Sequence, residues 1–158
     1  MPSVEHANIA RVRARAAQQG IAIAVTRFPA STHTAQDAAR EIGCSVAEIV
    51  KSLVFLADGA PVVVLCSGAD RVDETKLRAA LGATGVRRAT ADEAKSATGY
   101  AIGGVPPFAH AVDLRVVVDR KLEAFATVWA AAGLPDAVFP IAPADLVRLS
   151  NAVSADVT

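Results

Sequence analysis

The run Ile-Val-Lys-Ser-Leu-Val-Phe-Leu-Ala over residues 49–57, with Asp58-Gly59 and a second apolar run over residues 61–66, constrains this chain more than any other stretch. Asp-Gly between two apolar runs signals a tight hairpin, because both central positions of that turn need positive φ. Both arms are apolar on both faces. A sheet built from them is therefore covered on both sides, which excludes a fold with one solvated sheet face. One lysine interrupts the first arm. With period two, Lys51 shares a face with Ile49, Leu53 and Phe55. Two fates are open to it. Its stem can snorkel so that the charge reaches water, or the charge can sit in a pocket, poorly hydrated and available to an anion or a carbonyl oxygen.

The remaining elements read from their punctuation. A helix is predicted over residues 3–19, capped by Ser3 and stopped by Gly20. A strand follows over 21–28, ended by Pro29, then a helix over 35–42 with Thr34 and Asp37 as a capping pair and Gly43 as the stop. A turn of helix over 45–48 leads into the hairpin. Beyond it come a helix over 73–81 capped by Asp73, a strand over 85–89, and a helix from Thr90 to about residue 97 with Glu93 completing a capping box. A strand over 114–119, a turn or short helix over 121–125, short strands over 127–132 and 137–141, and a helix over 143–149 opened by Pro143 close the chain. Residues from Val153 onward are expected to fray. After the first helix the order β-α-β-β-α-β-α-β-β-β-α mixes hairpins with crossovers. It predicts one α/β domain over residues 1–158, with a mixed, curved β-sheet flanked by helices.

Hydrophobic residues make up 53% of the chain but aromatics only 4%, so the core must be built from Ala, Val, Leu and Ile. Sixteen basic and sixteen acidic residues cancel. Zero net charge argues against non-specific coating of nucleic acid, which needs a large phosphate-neutralising surface; it leaves room for a local basic patch. Cys44 and Cys66 form no CxxC and read as reduced, mostly buried thiols. His6, His33 and His110 lack zinc spacing, so neither a metal nor another cofactor is expected. Arg11, Arg13 and Arg15 interrupt any signal-like apolar run, and no uncharged segment reaches membrane-spanning length. A soluble, cytoplasmic protein with no membrane or DNA partner is the expectation.

The second informative stretch is Gly99-Tyr-Ala-Ile-Gly-Gly-Val-Pro-Pro-Phe-Ala-His110. Gly103 and Gly104 permit positive φ and close approach of a ligand to the backbone. Pro106 and Pro107 fix φ and push Val105 out of the helical region. Such a loop suits a small polar ligand; it equally serves as a tight connection. His110, just beyond it, and His33, at a helix entrance, can face the same pocket or act as structural histidines. No GxGxxG, GxxxxGK[ST] or GxSxG is present, and Ser52, Ser67 and Ser96 lack a nucleophile's local context.

Three segments together carry a family resemblance: Ala35-Gln-Asp-Ala-Ala-Arg-Glu-Ile-Gly43, Ile49-Val-Lys-Ser-Leu-Val-Phe55 and Gly99 to Phe108. In these the chain resembles the YbaK/prolyl-tRNA editing domain superfamily. The helix over 73–81 and the ending Ile141-Ala-Pro-Ala-Asp-Leu146 extend the likeness to nearly the whole length. It implies a single α/β domain with a partly barrel-like sheet. It further implies a free-standing, metal-independent deacylase that hydrolyses the ester of mischarged aminoacyl-tRNA in translation quality control. Lys51 matches the family's lysine, which positions the tRNA 3′ end and the ester rather than acting as nucleophile. The family's GxxxP loop maps onto Gly103, Gly104, Val105, Pro106 and Pro107, whose backbone groups hold the aminoacyl moiety and a water; the substrate's 2′-OH can take part. Expected partners are the aminoacyl-tRNA 3′ end and a synthetase or elongation factor, with the protein a monomer or homodimer. Two departures stand out. Ala109 replaces a glycine common after the Phe, and either Asp136 or Val138 occupies the place where some members carry a further polar residue. Small aliphatic pocket walls suggest a small acyl group such as Ala, Cys, Ser or Thr. Selection by shape discriminates by only about 1–3 kcal/mol per methylene. The rival reading is a non-catalytic module that binds aminoacyl-tRNA, a nucleotide or a protein on the same fold. A structural or regulatory dimer subunit would leave Lys51 unexplained.

Overall fold

The computed structural model describes residues 5–29 and 34–158. Helix α1 (Ala7–Gln18) begins after His6, whose ring nitrogen accepts the Asn8 N–H at 3.0 Å. The expected cap, Ser3, lies outside the described residues. Ile9, Val12 and Ala16 recur at helical spacing and are buried. The strand expected over 21–28 shrinks to β1 (Thr26–Arg27). Ile23 is buried and Ile21 and Val25 pack on the core, so the apolar alternation there reflects burial without a ladder. The Ile23 carbonyl accepts from the Arg13 guanidinium at 2.6 Å instead of from a strand.

Helix α2 (Ala35–Ile42) carries the expected Thr34/Asp37 capping box and ends at Gly43 with φ 84°. A 3-10 turn (Val46–Glu48) leads into β2 (Val50–Ala57), and β3 (Ala60–Ser67) returns after Asp58 and Gly59, both at positive φ. Helix α3 (Glu74–Leu81), β4 (Val86–Arg88), α4 (Ala91–Thr98) and β5 (Arg115–Asp119) follow. After a second 3-10 turn (Arg120–Ala124) come β6 (Val128–Ala131), β7 (Ala137–Ile141), α5 (Pro143–Ser150) and β8 (Val153–Ala155).

The expected mixed sheet is divided in two. Five strands run in the order β4-β2-β3-β5-β8, antiparallel around the hairpin and parallel from β3 to β8; three run antiparallel in the order β1-β7-β6. Neither closes into a barrel. The large sheet is covered on both faces, as its apolar arms require. Val63 and Leu65 of β3 face α1 and the smaller sheet, while Val62 and Val64 face Leu77 and Leu81 of α3.

The C-terminus corrects the expectation of fraying. β8 pairs parallel with β5, and Val157 is fully buried. The buried Asp119 carboxylate accepts the Val157 N–H at 3.2 Å and the Thr158 hydroxyl at 3.0 Å. A side chain 38 residues away thus holds a segment that has no strong local signal.

Candidate functional site

β3 pairs with β2 along its whole length, but β4 reaches only Phe55, Leu56 and Ala57. The first half of β2 therefore has an uncovered outer edge. β6 approaches that edge and touches it in ladder fashion only at Ile49–Trp129. A cavity of about 260 Å³ opens in the gap. Its walls are residues 50–54 of β2, Ala35 and Ala38 of α2, Trp129 and Ala131 of β6, Val138 of β7, and Ile102, Gly103 and Val105 of the Gly-Pro loop. The lining is mostly small and aliphatic, broken by Lys51, Arg88 and Trp129, and among the described residues it holds no His, Cys, Asp or Glu.

The Gly-Pro loop is clamped from behind. Tyr100 is fully buried and its hydroxyl donates to the Ala109 carbonyl at 2.7 Å. The Arg11 guanidinium lies 5.4 Å from the Tyr100 ring centre. His110 Nε2 donates to the Pro106 carbonyl at 2.7 Å, and the Ala111 N–H to the Thr98 carbonyl at 2.8 Å. Burial pushes the His110 pKa below its usual value, and nearby Arg15 adds to the shift, so the ring is neutral near pH 7. A carbonyl only accepts, so the neutral ring carries its proton at Nε2. The tip is a tight turn closed by the Gly104 N–H to the Ala101 carbonyl at 3.0 Å, with Gly103 at φ 86°. Gly103 and Val105 both line the cavity, and their N–H groups have no acceptor among the described residues.

Ala109, where the family pattern favours glycine, sits at φ 66°, in the left-handed region. An alanine there costs about 1–2 kcal/mol, partly offset by the greater freedom of glycine in the unfolded chain. Ala109→Gly is expected to raise the unfolding free energy by roughly 0.5–1 kcal/mol. Urea titration checks this, and a lower midpoint would mean the loop has no such strain.

Lys51 forms part of the cavity wall. Its half-buried side chain leaves β2 on the Leu53 and Phe55 face, and its ammonium donates to the main-chain oxygen of Asp70. One of three ammonium hydrogens is spent there, leaving two. Cys66, opposite Lys51 in the ladder, is a buried thiol whose pKa desolvation pushes up to about 11, so it is inert as a nucleophile. Arg88 also lines the cavity, with its guanidinium 5.8 Å from the Phe55 ring centre.

Of the residues singled out in the sequence, the structure brings Lys51, Gly103 and Val105 to one cavity. Gly104, Pro106 and Pro107 shape the loop behind it, and His110 braces that loop. His33 lies outside the described residues. Val138 lines the cavity, whereas Asp136 is paired with Arg27 at 2.9 Å. Sequence reasoning passed over Trp129 and Ala131. Their period-two spacing, opposite buried Val128 and Ala130, was the available signal.

The fold and cavity define an α/β domain with a small apolar acyl-sized site, a lysine in its wall and free backbone N–H groups on a glycine loop. Comparison with known proteins gives the family. The pattern described as the aminoacyl-tRNA editing domain matches residues 29–149, and the chain belongs to that family. It is 35% identical over 127 residues to YwhH of Bacillus subtilis (strain 168), described as uncharacterized, covering 80% of each chain. It is 37% identical over 92 residues to the proline–tRNA ligase of Nitratidesulfovibrio vulgaris (strain DP4), covering 58% of this chain but only 16% of the ligase. A crystal structure provisionally described as a trans-editing enzyme for prolyl-tRNA synthetase superposes with a TM-score of 0.92 at 38% identity, covering 98% of this chain and 99% of the other. The hypothetical protein APE2540 superposes with a TM-score of 0.86 at 33% identity. Aminoacyl-tRNA editing, and tRNA deacylation in general, is the function that the family and this neighbour support. Among the described residues, no helix is long and apolar enough to cross a membrane.

Proposed function

We propose that this protein is a free-standing trans-editing deacylase that hydrolyses small, non-cognate aminoacyl esters from tRNA in the prolyl system. The observation that carries the reading is that Lys51 and the loop residues Gly103 and Val105, whose N–H groups have no acceptor among the described residues, line one small cavity. At about 260 Å³ it lies below the roughly 300–1,000 Å³ of sites for drug-sized ligands, which favours an acyl group such as alanyl, cysteinyl, seryl or threonyl. The two N–H groups donate to the ester carbonyl oxygen as it gains negative charge, and the remaining Lys51 hydrogens hold the 3′-terminal ribose or phosphate. Water adds to the carbonyl carbon. The carbon–oxygen bond to the ribose breaks, the ribose oxygen takes a proton, and free amino acid and tRNA 3′-OH leave. The substrate's own 2′-OH is placed to relay that proton. Among the described residues the lining has no His, Cys, Asp or Glu and so offers no donor set for a metal; the reaction is read as metal-independent. The prolyl context is supported by the likeness to the trans-editing structure and to the ligase segment. A prolyl-tRNA synthetase is the proposed partner.

The test is a panel of tRNAPro and cognate tRNAs charged with Ala, Cys, Ser, Thr and Pro. Loss of one or two small esters, unchanged by EDTA, is expected. Inactivation by EDTA would reveal a metal, and no hydrolysis by folded protein would move the reading to a binding module.

A further inference from the structure

Among the described residues, Ser52 Oγ is the one buried side-chain oxygen or nitrogen without a hydrogen-bond partner. The other buried serine and threonine hydroxyls among the described residues are satisfied. Ser67 donates to the Ala47 carbonyl at 2.7 Å, Thr98 to the Ala94 carbonyl at 2.8 Å, and Ser150 to the Leu146 carbonyl at 2.6 Å. Burying an unpaired hydroxyl destabilises a fold, so such an exception calls for a cause. Fold stability gives none. Val50 and Val54, on the same face of β2, are both buried in the apolar core, and an alanine would pack between them without that cost. Ser52 lines the cavity. The hydroxyl is buried and unpaired in the strand segment that walls the cavity.

The hydrogen-bonding character of the lining indicates which ligand group it meets. Lys51, Arg88 and the Trp129 indole are donors only. The Thr34 oxygen already accepts the Asp37 N–H at 3.0 Å in its capping box. Among the described residues no carboxylate is present in the lining. Among those residues, Ser52 Oγ is thus the side-chain acceptor in the wall that makes no hydrogen bond of its own. Whatever its side chain, the acyl part of every aminoacyl ester carries one cationic donor, the α-ammonium; its carbonyl and ester oxygens only accept. We propose that Ser52 Oγ accepts a hydrogen bond from the α-ammonium of the aminoacyl ester and so fixes how the acyl group lies against the Gly103 and Val105 N–H groups. This assignment rests on reading the cavity as the aminoacyl site. It makes the protein selective for esters with a free α-amino group, a selectivity separate from side-chain size.

The experiment compares Ser52→Ala with the unsubstituted protein on two tRNA esters, alanyl and its des-amino counterpart propionyl. The ratio of ratios cancels the different intrinsic reactivity of the two esters. Ser52→Ala is expected to lower kcat/KM by about 10- to 100-fold on the alanyl ester and less than twofold on the propionyl ester, with Ser52→Thr retaining most activity. Equal losses on both esters would overturn the assignment. Because the hydroxyl has no partner within the fold, the unfolding midpoint of Ser52→Ala is expected to stay level or rise; a clear drop would show a structural role and also overturn it. Trp129, the single tryptophan, lines the cavity and reports occupancy without turnover. Fluorescence titration with the non-hydrolysable 3′-amides of alanyl- and propionyl-adenosine is expected to show at least tenfold tighter binding of the amino-bearing ligand, lost in Ser52→Ala. If no ester is hydrolysed yet this preference holds, the deacylase reading fails and the Ser52 assignment stands. If the two amides bind equally, the assignment fails whatever the turnover.

Discussion

Lys51→Ala is expected to reduce kcat/KM for the mischarged ester at least 100-fold while leaving the fold intact. The magnitude follows from what the ammonium supplies. A donor aimed at developing charge or at a 3′-terminal phosphate, within a wall of aliphatic side chains, acts in a poorly hydrated setting where losing one such contact costs about 10²–10³ in rate. The structural cost is small by comparison. The half-buried side chain makes one hydrogen bond, to the Asp70 carbonyl. Losing it removes about 1 kcal/mol, which in a chain of this size moves the melting temperature by only about 2–4 °C. Lys51→Met keeps the stem and removes only the charge, so it separates the two roles of the side chain. Single-turnover deacylation alongside thermal unfolding checks both halves. Full residual activity in a folded variant would remove Lys51 from the mechanism.

Gly104→Val is expected to lose at least tenfold in kcat/KM and about 1–3 kcal/mol of stability. A Cβ at Gly104 would lie 2.9 Å from Leu134 Cα and 3.0 Å from the Leu134 carbonyl carbon and Pro135 Cδ. Two of these atoms are backbone and the third is a proline ring, so none can swing aside. The loop must move as a unit. Gly103 and Val105, whose N–H groups are read as the oxyanion donors, move with it. Because Tyr100 and His110 clamp the loop's base, the displacement concentrates at the tip. Kinetics measured well below the melting transition separate the two effects. Unchanged kinetics at that temperature would make the loop a connector only.

Much of the fold was legible because its punctuation is local. The capping boxes at Thr34/Asp37 and Thr90/Glu93, the left-handed glycines at 43, 82 and 99, and the Asp58-Gly59 turn each satisfy a backbone requirement within a few residues. The two-faced apolar hairpin was legible for the same reason, since alternation of side chains is a property of a single strand. The site was half legible. Lys51 and the glycine-proline loop stand out because a charge in an apolar run and paired glycines before paired prolines are unusual anywhere. Ser52 did not stand out. A serine in a strand is ordinary until its hydroxyl is known to be buried and unpaired. Trp129 and Ala131 were passed over because they reach the cavity only through the β6–β7 ladder.

Local order encodes the helices and most of their ends (though not the start of the first), the central hairpin with both faces buried, the zero net charge and the chemistry concentrated in two stretches. These depend on interactions between near neighbours, which the order of residues encodes directly. Long-range packing set the division into two sheets, the pairing of β8 with β5, the anchoring of residues 157 and 158 by the Asp119 carboxylate, the loss of ladder pairing over residues 21–25, and the cavity itself. Each of these depends on which distant groups become neighbours. The cavity exists because β4 stops short along β2 and β6 does not fill the edge it leaves, a consequence of strand register that no single segment contains.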